Sequence, residues 1–275
     1  MCNNVSVDTI NKVMKYFHAD GCAKNTSNML LYLADHLFKF GCGYDPAESM
    51  PEHGLYHPRF GISSGSGSSN HAAVGAEVAS YLRSCAAAAS GGKPTVGIIF
   101  YRFHYLSGNR AFVDALIDEL EALGVNAIGL FTETLRAHEP HNNVNGCAVE
   151  RFPMALTHLL DEETGKCMVD VLISSMAFAM GEVNPDGPTL ANWSAEGIKA
   201  LDVPVLQAIN SVGTYDEWMK SPRGLNPLDT AMNVAIPEFD GRIITLPILC
   251  MAPVDKRNSV QYYEPVADRV EQVVK

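Results

Sequence analysis

The strongest constraint on this chain is the stretch from Thr95 to Phe131, TVGIIFYRFHYLSGNRAFVDALIDELEALGVNAIGLF. It opens on an unbroken apolar run, Val96 to Tyr101, which reads as a strand buried on both faces. An eight-residue polar loop follows, Arg102 to Asn109. Phe112, Val113, Leu116, Ile117 and Leu120 then recur at helical spacing, with Asn109 placed to cap the helix and Gly124 to end it. A second β-rich run, Val125 to Phe131, completes a strand–loop–helix–strand unit. In open parallel sheets the loops after the carboxyl ends of the strands form the ligand crevice. Function is therefore expected around Arg102, His104, Tyr105 and Asn109, where the helix N-terminus also offers N–H groups to an anion.

The alternation continues downstream. Strands are expected at Met168–Ser174, Val203–Ile209 and Ile243–Leu249, and helices at Phe152–Leu160, Ser194–Leu201 and Val266–Val274. Thr214 and Glu217 have the spacing of a capping box, and Asn226-Pro227 marks another helix start. Arg136–Gly146 reads as a polar loop. The pattern predicts an α/β domain over residues 93–275, a doubly wound and mostly parallel sheet of Rossmann or flavodoxin type. Residues 1–92 read as a smaller helical region. Ile10, Val13, Met14 and Phe17 form one stripe there, and Met29, Leu30, Leu33, Leu37 and Phe38 a second, with Asn25 or Thr26 able to cap the second helix. Tyr44–Pro58 reads as irregular, Gly61–Ser69 as a flexible surface loop, Val74–Ala89 as a helix and Ser90–Pro94 as the domain boundary.

Several function classes are disfavoured. A net charge of −11 argues against nucleic acid, which demands clustered Lys and Arg. No apolar run approaches the roughly 18 residues of a membrane span, and the N-terminus has no signal-peptide pattern. Seven cysteines without a C-x-x-C pair point to reduced thiols in the cytoplasm. His53 and His57 are four apart, but Gly54 and Pro58 oppose the helix on which that spacing would hold zinc. His138 and His141 flank Pro140 in the expected loop. Gly65–Asn70 lacks the third glycine of a dinucleotide fingerprint, Gly91-Gly92-Lys93-Pro94 lacks the Ser or Thr of a phosphate loop, and no G-x-S-x-G elbow occurs. No metal site is expected.

Three polar clusters fall at expected strand ends: Arg102/His104/Asn109; Asn210-Ser211-Val212-Gly213; and Arg223–Asn226 together with Pro237–Gly241. Each also has a plain structural reading, a surface ion pair for Arg223 and a self-bonded turn for Glu238 and Asp240. Their shared position at carboxyl ends of strands brings the two readings to about even.

The residues that carry these clusters resemble a known family. VGIIFYRFHYLSGNRAFVDALIDELEALGVNAIGLF, VPVLQAINS and SPRGLNPLDTAMNVAIPEFDGRIITLPI, preceded by GCAKNTSNMLLYLADHL and GLYHP, look like the large subunit of aerobic cobaltochelatase and the H subunit of magnesium chelatase. The likeness runs from about Ile10 to Arg269, and Arg102–Asn109 and Ser221–Leu225 look closer to the cobalt branch. Family large subunits are several times longer, so the likeness covers an internal or N-terminal portion only. The His-Gly-Thr-His-Gly-type segment of the family is absent. The resemblance implies binding of a tetrapyrrole, a corrin precursor or a porphyrin, for insertion of Co²⁺ or Mg²⁺ as substrate. ATP would be used by separate AAA+ ATPase subunits, with no cofactor bound by this chain and no activity alone. Set against that reaction, His104 is a candidate base or metal-relay group and Glu238 a candidate acid/base or metal ligand. Arg102, Tyr105, Asn109, Asn210, Ser211, Arg223 and Asp240 would contact the macrocycle. A non-catalytic assembly module, or an unrelated small-ligand binder on the same sheet, remain the alternatives.

Overall fold

The computed structural model describes residues 5–19, 22–63, 71–88, 93–136, 138–177, 179–183, 193–252 and 262–275. Two helices come first, α1 (Val7–His18) and α2 (Ala23–Phe38), then strands β1 (His53–His57) and β2 (Gly61–Ser63) and helix α3 (His71–Ala88). The central unit is β3 (Thr95–Tyr101), α4 (Arg102–Ser107), α5 (Ala111–Ala122) and β4 (Asn126–Thr132). Strands β5 (His138–Val144) and β6 (Cys147–Pro153), a 3₁₀ helix (Met154–Leu159) and β7 (Val171–Ser174) follow. After the short pair β8 (Glu182–Val183) and β9 (Trp193–Ser194) come α6 (Glu196–Leu201), β10 (Val205–Thr214) and α7 (Tyr215–Lys220). The chain closes with α8 (Pro227–Thr230), a π-helical turn (Ala231–Ala235), α9 (Ile236–Phe239), β11 (Ile243–Met251), β12 (Tyr263–Pro265) and α10 (Ala267–Val274).

One eight-stranded sheet runs in the order β12-β11-β10-β7-β3-β4-β1-β2. The five central strands are parallel, and β1 joins β4, β2 joins β1 and β12 joins β11 antiparallel. Taken by chain order the parallel strands read 2-1-3-4-5, the flavodoxin-like arrangement, whose direction reverses between β3 and β7. The expected mostly parallel α/β sheet is therefore present. Strands β1 and β2 stand on the N-terminal side of the boundary expected at 92/93, so both sides of it contribute to one sheet.

Period-two alternation explains the two cores. Ile98 and Phe100 point to the side of α5 and α10, where they meet Phe112, Leu116, Ile117 and Phe131. Ile99 points to the other side, with Leu82, Leu130, Leu156 and Leu172. All of these are essentially unexposed. Full burial of such side chains contributes about 1.5–3 kcal/mol each.

Several sequence expectations are corrected. Arg102–Ser107 is a short helix, ended by Gly108 at φ 75°. Asn109 does not cap α5; Arg110 takes that position, and Asn109 Oδ1 accepts from the Tyr263 N–H. Gly124, at φ 81°, does close α5, its N–H bonding to Glu121. In α2 the cap is the Cys22 sulfur, which accepts from the Asn25 N–H. The stretch called irregular contains β1. The polar loop at Arg136–Gly146 is instead one arm of a hairpin, turned by Asn145 and Gly146 at φ 51° and 86°. Two adjacent positive φ angles suit an Asn-Gly turn. The capping box at Thr214/Glu217 and the Asn226 cap are both formed. Of the Ser/Gly stretch, Gly61–Ser63 is strand; residues 64–70 and 89–92, and most of Gly181–Pro188, lie outside the described residues.

Candidate functional site

The crevice of this sheet type lies where strand order reverses, beyond the carboxyl ends of β3, β4 and β7. A notch of about 210 Å³ is found there, lined by Tyr101, Glu133, Thr134, Arg136, Met176 and Met180 among others. One wall is the turn after β4. The Thr132 hydroxyl donates to the Thr134 carbonyl at 2.8 Å, and the Arg136 N–H donates to Thr134 Oγ1 at 3.0 Å. The other wall is the segment after β7. Ser175 N–H donates to the Ile99 carbonyl at 2.9 Å, which fixes the start of that segment on β3.

A buried ion pair holds the second wall from behind. Asp240 accepts from the N–H groups of Met180 (2.7 Å) and Gly181 (2.9 Å). Arg242 donates to Asp240 at 2.6 Å, to the Met176 carbonyl at 2.7 Å and to Gln207 Oε1 at 2.5 Å. Burial lowers the Arg242 pKa, and Asp240 opposes that shift without cancelling it. Asn210 reaches the same wall, donating from Nδ2 to the Ser175 carbonyl at 2.6 Å, while its Oδ1 is buried with no partner among the described residues.

The other expected site residues lie elsewhere. Arg102 is 7% exposed and donates to the carbonyls of Pro51 (2.7 Å) and Met50 (2.8 Å), fastening the segment before β1. His104 is buried against the rings of Phe112 and Tyr263, with centroids at 5.1 and 5.6 Å. Its Nδ1 has no partner among the described residues, and burial pushes its pKa down to about 4, so the imidazole is neutral and enclosed. Tyr105 stacks on Phe131 at 4.9 Å, and the Arg110 guanidinium lies 5.3 Å above the rings of both Tyr105 and Tyr56. Ser211 is buried and donates to Asp229 at 2.9 Å. Arg223 and Glu238 are exposed. The structure thus places Asn210 and Asp240 behind one wall of the notch, which neither lines, and keeps Arg102, His104, Tyr105 and Asn109 in packing on the α4 side.

Sequence reasoning missed Glu133, Thr134 and Arg136. They directly follow a parallel strand, the same signal applied to β3 and β10 but not to β4. It also missed Asp229 and Asn233, which with Asn226 recur at i, i+3 and i+7. Asp229 accepts from Ser211, Val212 and Asn226, and Asn233 exchanges bonds with the backbone of Asn210, so this helix face clamps the end of β10. The histidine pair His53/His57 does not converge: His57 Nε2 bonds Glu121 at 3.2 Å, and His53 Nδ1 bonds His158 at 2.9 Å. Among the described residues no three His, Cys, Asp or Glu side chains are grouped to hold a metal ion, and no helix is long and apolar enough to cross a membrane.

The family model for CobN/Magnesium Chelatase matches residues 14–275. The chain belongs to this family. It is similar to an uncharacterized protein of Methanocaldococcus jannaschii, 30% identical over an alignment of 279 positions that covers 98% of this chain and 20% of that protein. It is similar to the aerobic cobaltochelatase subunit CobN of Pseudomonas aeruginosa, 28% identical over 245 residues, 89% of this chain and 16% of that subunit. Among solved structures it resembles the catalytic subunit of cobaltochelatase from Mycobacterium tuberculosis, with a TM-score of 0.72 and 25% identity over 98% of this chain and 19% of that one. The chain therefore spans about a fifth or less of the length of these relatives.

Proposed function

We propose that this chain is the portion of a tetrapyrrole chelatase large subunit that holds one edge of the macrocycle during insertion of Co²⁺ or Mg²⁺. The observation that carries the reading is a notch at the strand-order reversal of a chain matching the chelatase family over residues 14–275. Its side chains suit a flat apolar ring with acidic arms. Tyr101, Met176 and Met180 offer apolar and polarizable surface. Arg136 offers a planar donor to a carboxylate arm. About 210 Å³ is small beside the roughly 300–1,000 Å³ of pockets that enclose drug-sized ligands. The notch therefore takes an edge, and surfaces contributed by further polypeptide take the rest. On this reading the chain has no metal-inserting activity alone, acts in the cytoplasm beside AAA+ ATPase subunits that use ATP, and serves cobalamin synthesis ahead of the magnesium branch.

Absorbance titration with a cobyrinate-type corrin and with protoporphyrin tests this. The expected result is a saturable spectral shift that Arg136→Ala weakens several-fold. Loss of the shift in both titrations, or an Arg136→Ala variant that binds both ligands like the parent, overturns the reading.

A further inference from the structure

A second cavity, of about 480 Å³, lies on the Ile99 side of the sheet and shares no lining residue with the notch. That volume falls within the roughly 300–1,000 Å³ of pockets that enclose small molecules. Its floor is apolar. Leu55 of β1, Ala79 and Leu82 of α3, and Leu160 and Met168, which bracket the loop ahead of β7, supply it.

The rim is built, not slack. The Asp161 N–H donates to the Lys166 carbonyl at 2.9 Å, and the Gly165 N–H donates to the Asp161 carbonyl at 2.8 Å. Asp161 Oδ1 accepts from the N–H and hydroxyl of Thr164 at 2.8 and 2.7 Å. Gly165, at φ 67°, lies so close to Asn143 of β5 that a Cβ there would collide with it. Asn143 Nδ2 donates to the Thr164 carbonyl at 3.0 Å, so the loop is stitched to the hairpin and the cavity is preformed.

The charges around the rim decide what it takes. Arg83 stands on α3, and Asp161 and Glu162 on the loop. The Thr164 bonds hold the Asp161 pKa below the usual carboxylate range, and Arg83 lowers it further, so guanidinium and carboxylate lie within each other's field. They do not touch: among the described residues Arg83 forms no ion pair or hydrogen bond. A plain acid would meet Arg83 but also two carboxylates, and a plain amine would meet the carboxylates but also Arg83. A ligand that carries both charges satisfies both sides. The two histidines of the wall add donors without upsetting that balance. His158 spends Nε2 on His53 at 2.9 Å, and burial, with His53 beside it, pushes its pKa down to about 4, so it is neutral at pH 7. His141 accepts the Asn143 N–H at Nδ1, which leaves Nε2 to donate.

We propose that this cavity binds a free α-amino acid with a large apolar side chain, its carboxylate on Arg83, its ammonium toward Asp161 and Glu162, and its side chain on the floor of Leu55, Leu82 and Leu160. The proposal is independent of how the notch binds a macrocycle.

Isothermal titration calorimetry of the chain with L-tryptophan, L-phenylalanine and L-leucine at millimolar concentration tests this. Saturable binding of at least one is expected. Its analogues lacking the ammonium or the carboxylate (indole-3-propionate and tryptamine in the case of tryptophan) should bind about tenfold or more weakly, the effect of losing one charge-assisted hydrogen bond. Arg83→Gln should weaken the amino acid by a similar factor and bind the amine analogue no worse than the parent does. Asp161→Asn/Glu162→Gln should weaken the amino acid likewise and bind the acid analogue no worse. Asp161→Asn keeps an acceptor for Thr164, and circular dichroism confirms that both variants fold. Absence of saturable binding by all three amino acids overturns the proposal. So does an analogue that binds as tightly as its amino acid, or binding that neither variant weakens.

Discussion

Arg242 and Asp240 meet at 2.6 Å with both side chains only 1% exposed, and between them they hold three backbone groups of the segment that walls the notch. Removing one partner strands the other charge in the interior. Asp240→Ala is therefore expected to destabilise the protein by about 3–5 kcal/mol. The double variant Asp240→Ala/Arg242→Met should lose less than the sum of the single changes. Urea denaturation of the three proteins checks this; strict additivity would show that the pair is not coupled.

Arg102→Ala should loosen the segment before β1 before it acts on any ligand. The guanidinium spans two carbonyls, Pro51 and Met50, and hydrogen bonds from a charged group contribute about 1.5–3 kcal/mol. Faster hydrogen exchange is expected in residues 45–51, with β3 still protected. Arg102→Lys should not restore protection, because one ammonium cannot reproduce the planar fork.

Much of the sheet was legible because its strands are long apolar runs, and Val96–Tyr101 and Ile243–Leu249 could hardly be anything else. What escaped was structure without an apolar signature. Among the described strands His138–Val144 pairs with β6 alone, so its HEPHNNV sequence never had to become apolar. His53–His57 is flanked by Pro51 and Pro58 and opens His-Gly, which masked a strand that lies on β4. None of the expected site residues lines the notch: Asn210 and Asp240, at a strand's end and just ahead of the next strand, hold its wall from behind, whereas the inward turn of Arg102 and His104 depends on α4, a helix with no side-chain cap to announce it.

Stability should fall as the solution is acidified, with His104 contributing. Its folded pKa is about 4, set by burial, while an unfolded histidine protonates near 6.5. Between those values the unfolded state binds the extra proton, so stability declines with falling pH. For His104 the decline is on the order of 3 kcal/mol across that window, and it levels off below pH about 4. His158, also pushed down to about 4 by burial and by the neighbouring His53, adds to the same slope. His104→Phe keeps the aromatic packing with Phe112 and Tyr263 and should flatten the profile. Thermal denaturation at pH 7.5, 5.5 and 4.5 compares the two; parallel profiles would refute the assignment.

Gly129 lies where β4 meets β1, and a Cβ there would stand 3.0 Å from the Tyr56 carbonyl and 3.1 Å from the Phe100 ring. Because a backbone atom and a packed core ring must both yield, Gly129→Ala is expected to cost about 1–3 kcal/mol. A denaturation midpoint equal to that of the parent would show that β1 can lift away freely.

The loosened turn at Ala231–Ala235 has a local cause and a distant effect. Pro237 brings no N–H for the Asn233 carbonyl and crowds it, so the winding widens just ahead of the proline. Upstream of that turn Asp229, and within it Asn233, grip β10; downstream Asp240 grips the far wall. Excising one residue between them would tighten the coil to regular pitch and rotate everything beyond by roughly 100°. The spare residue therefore works as a phase shifter, and the length of this segment is constrained as firmly as its chemistry.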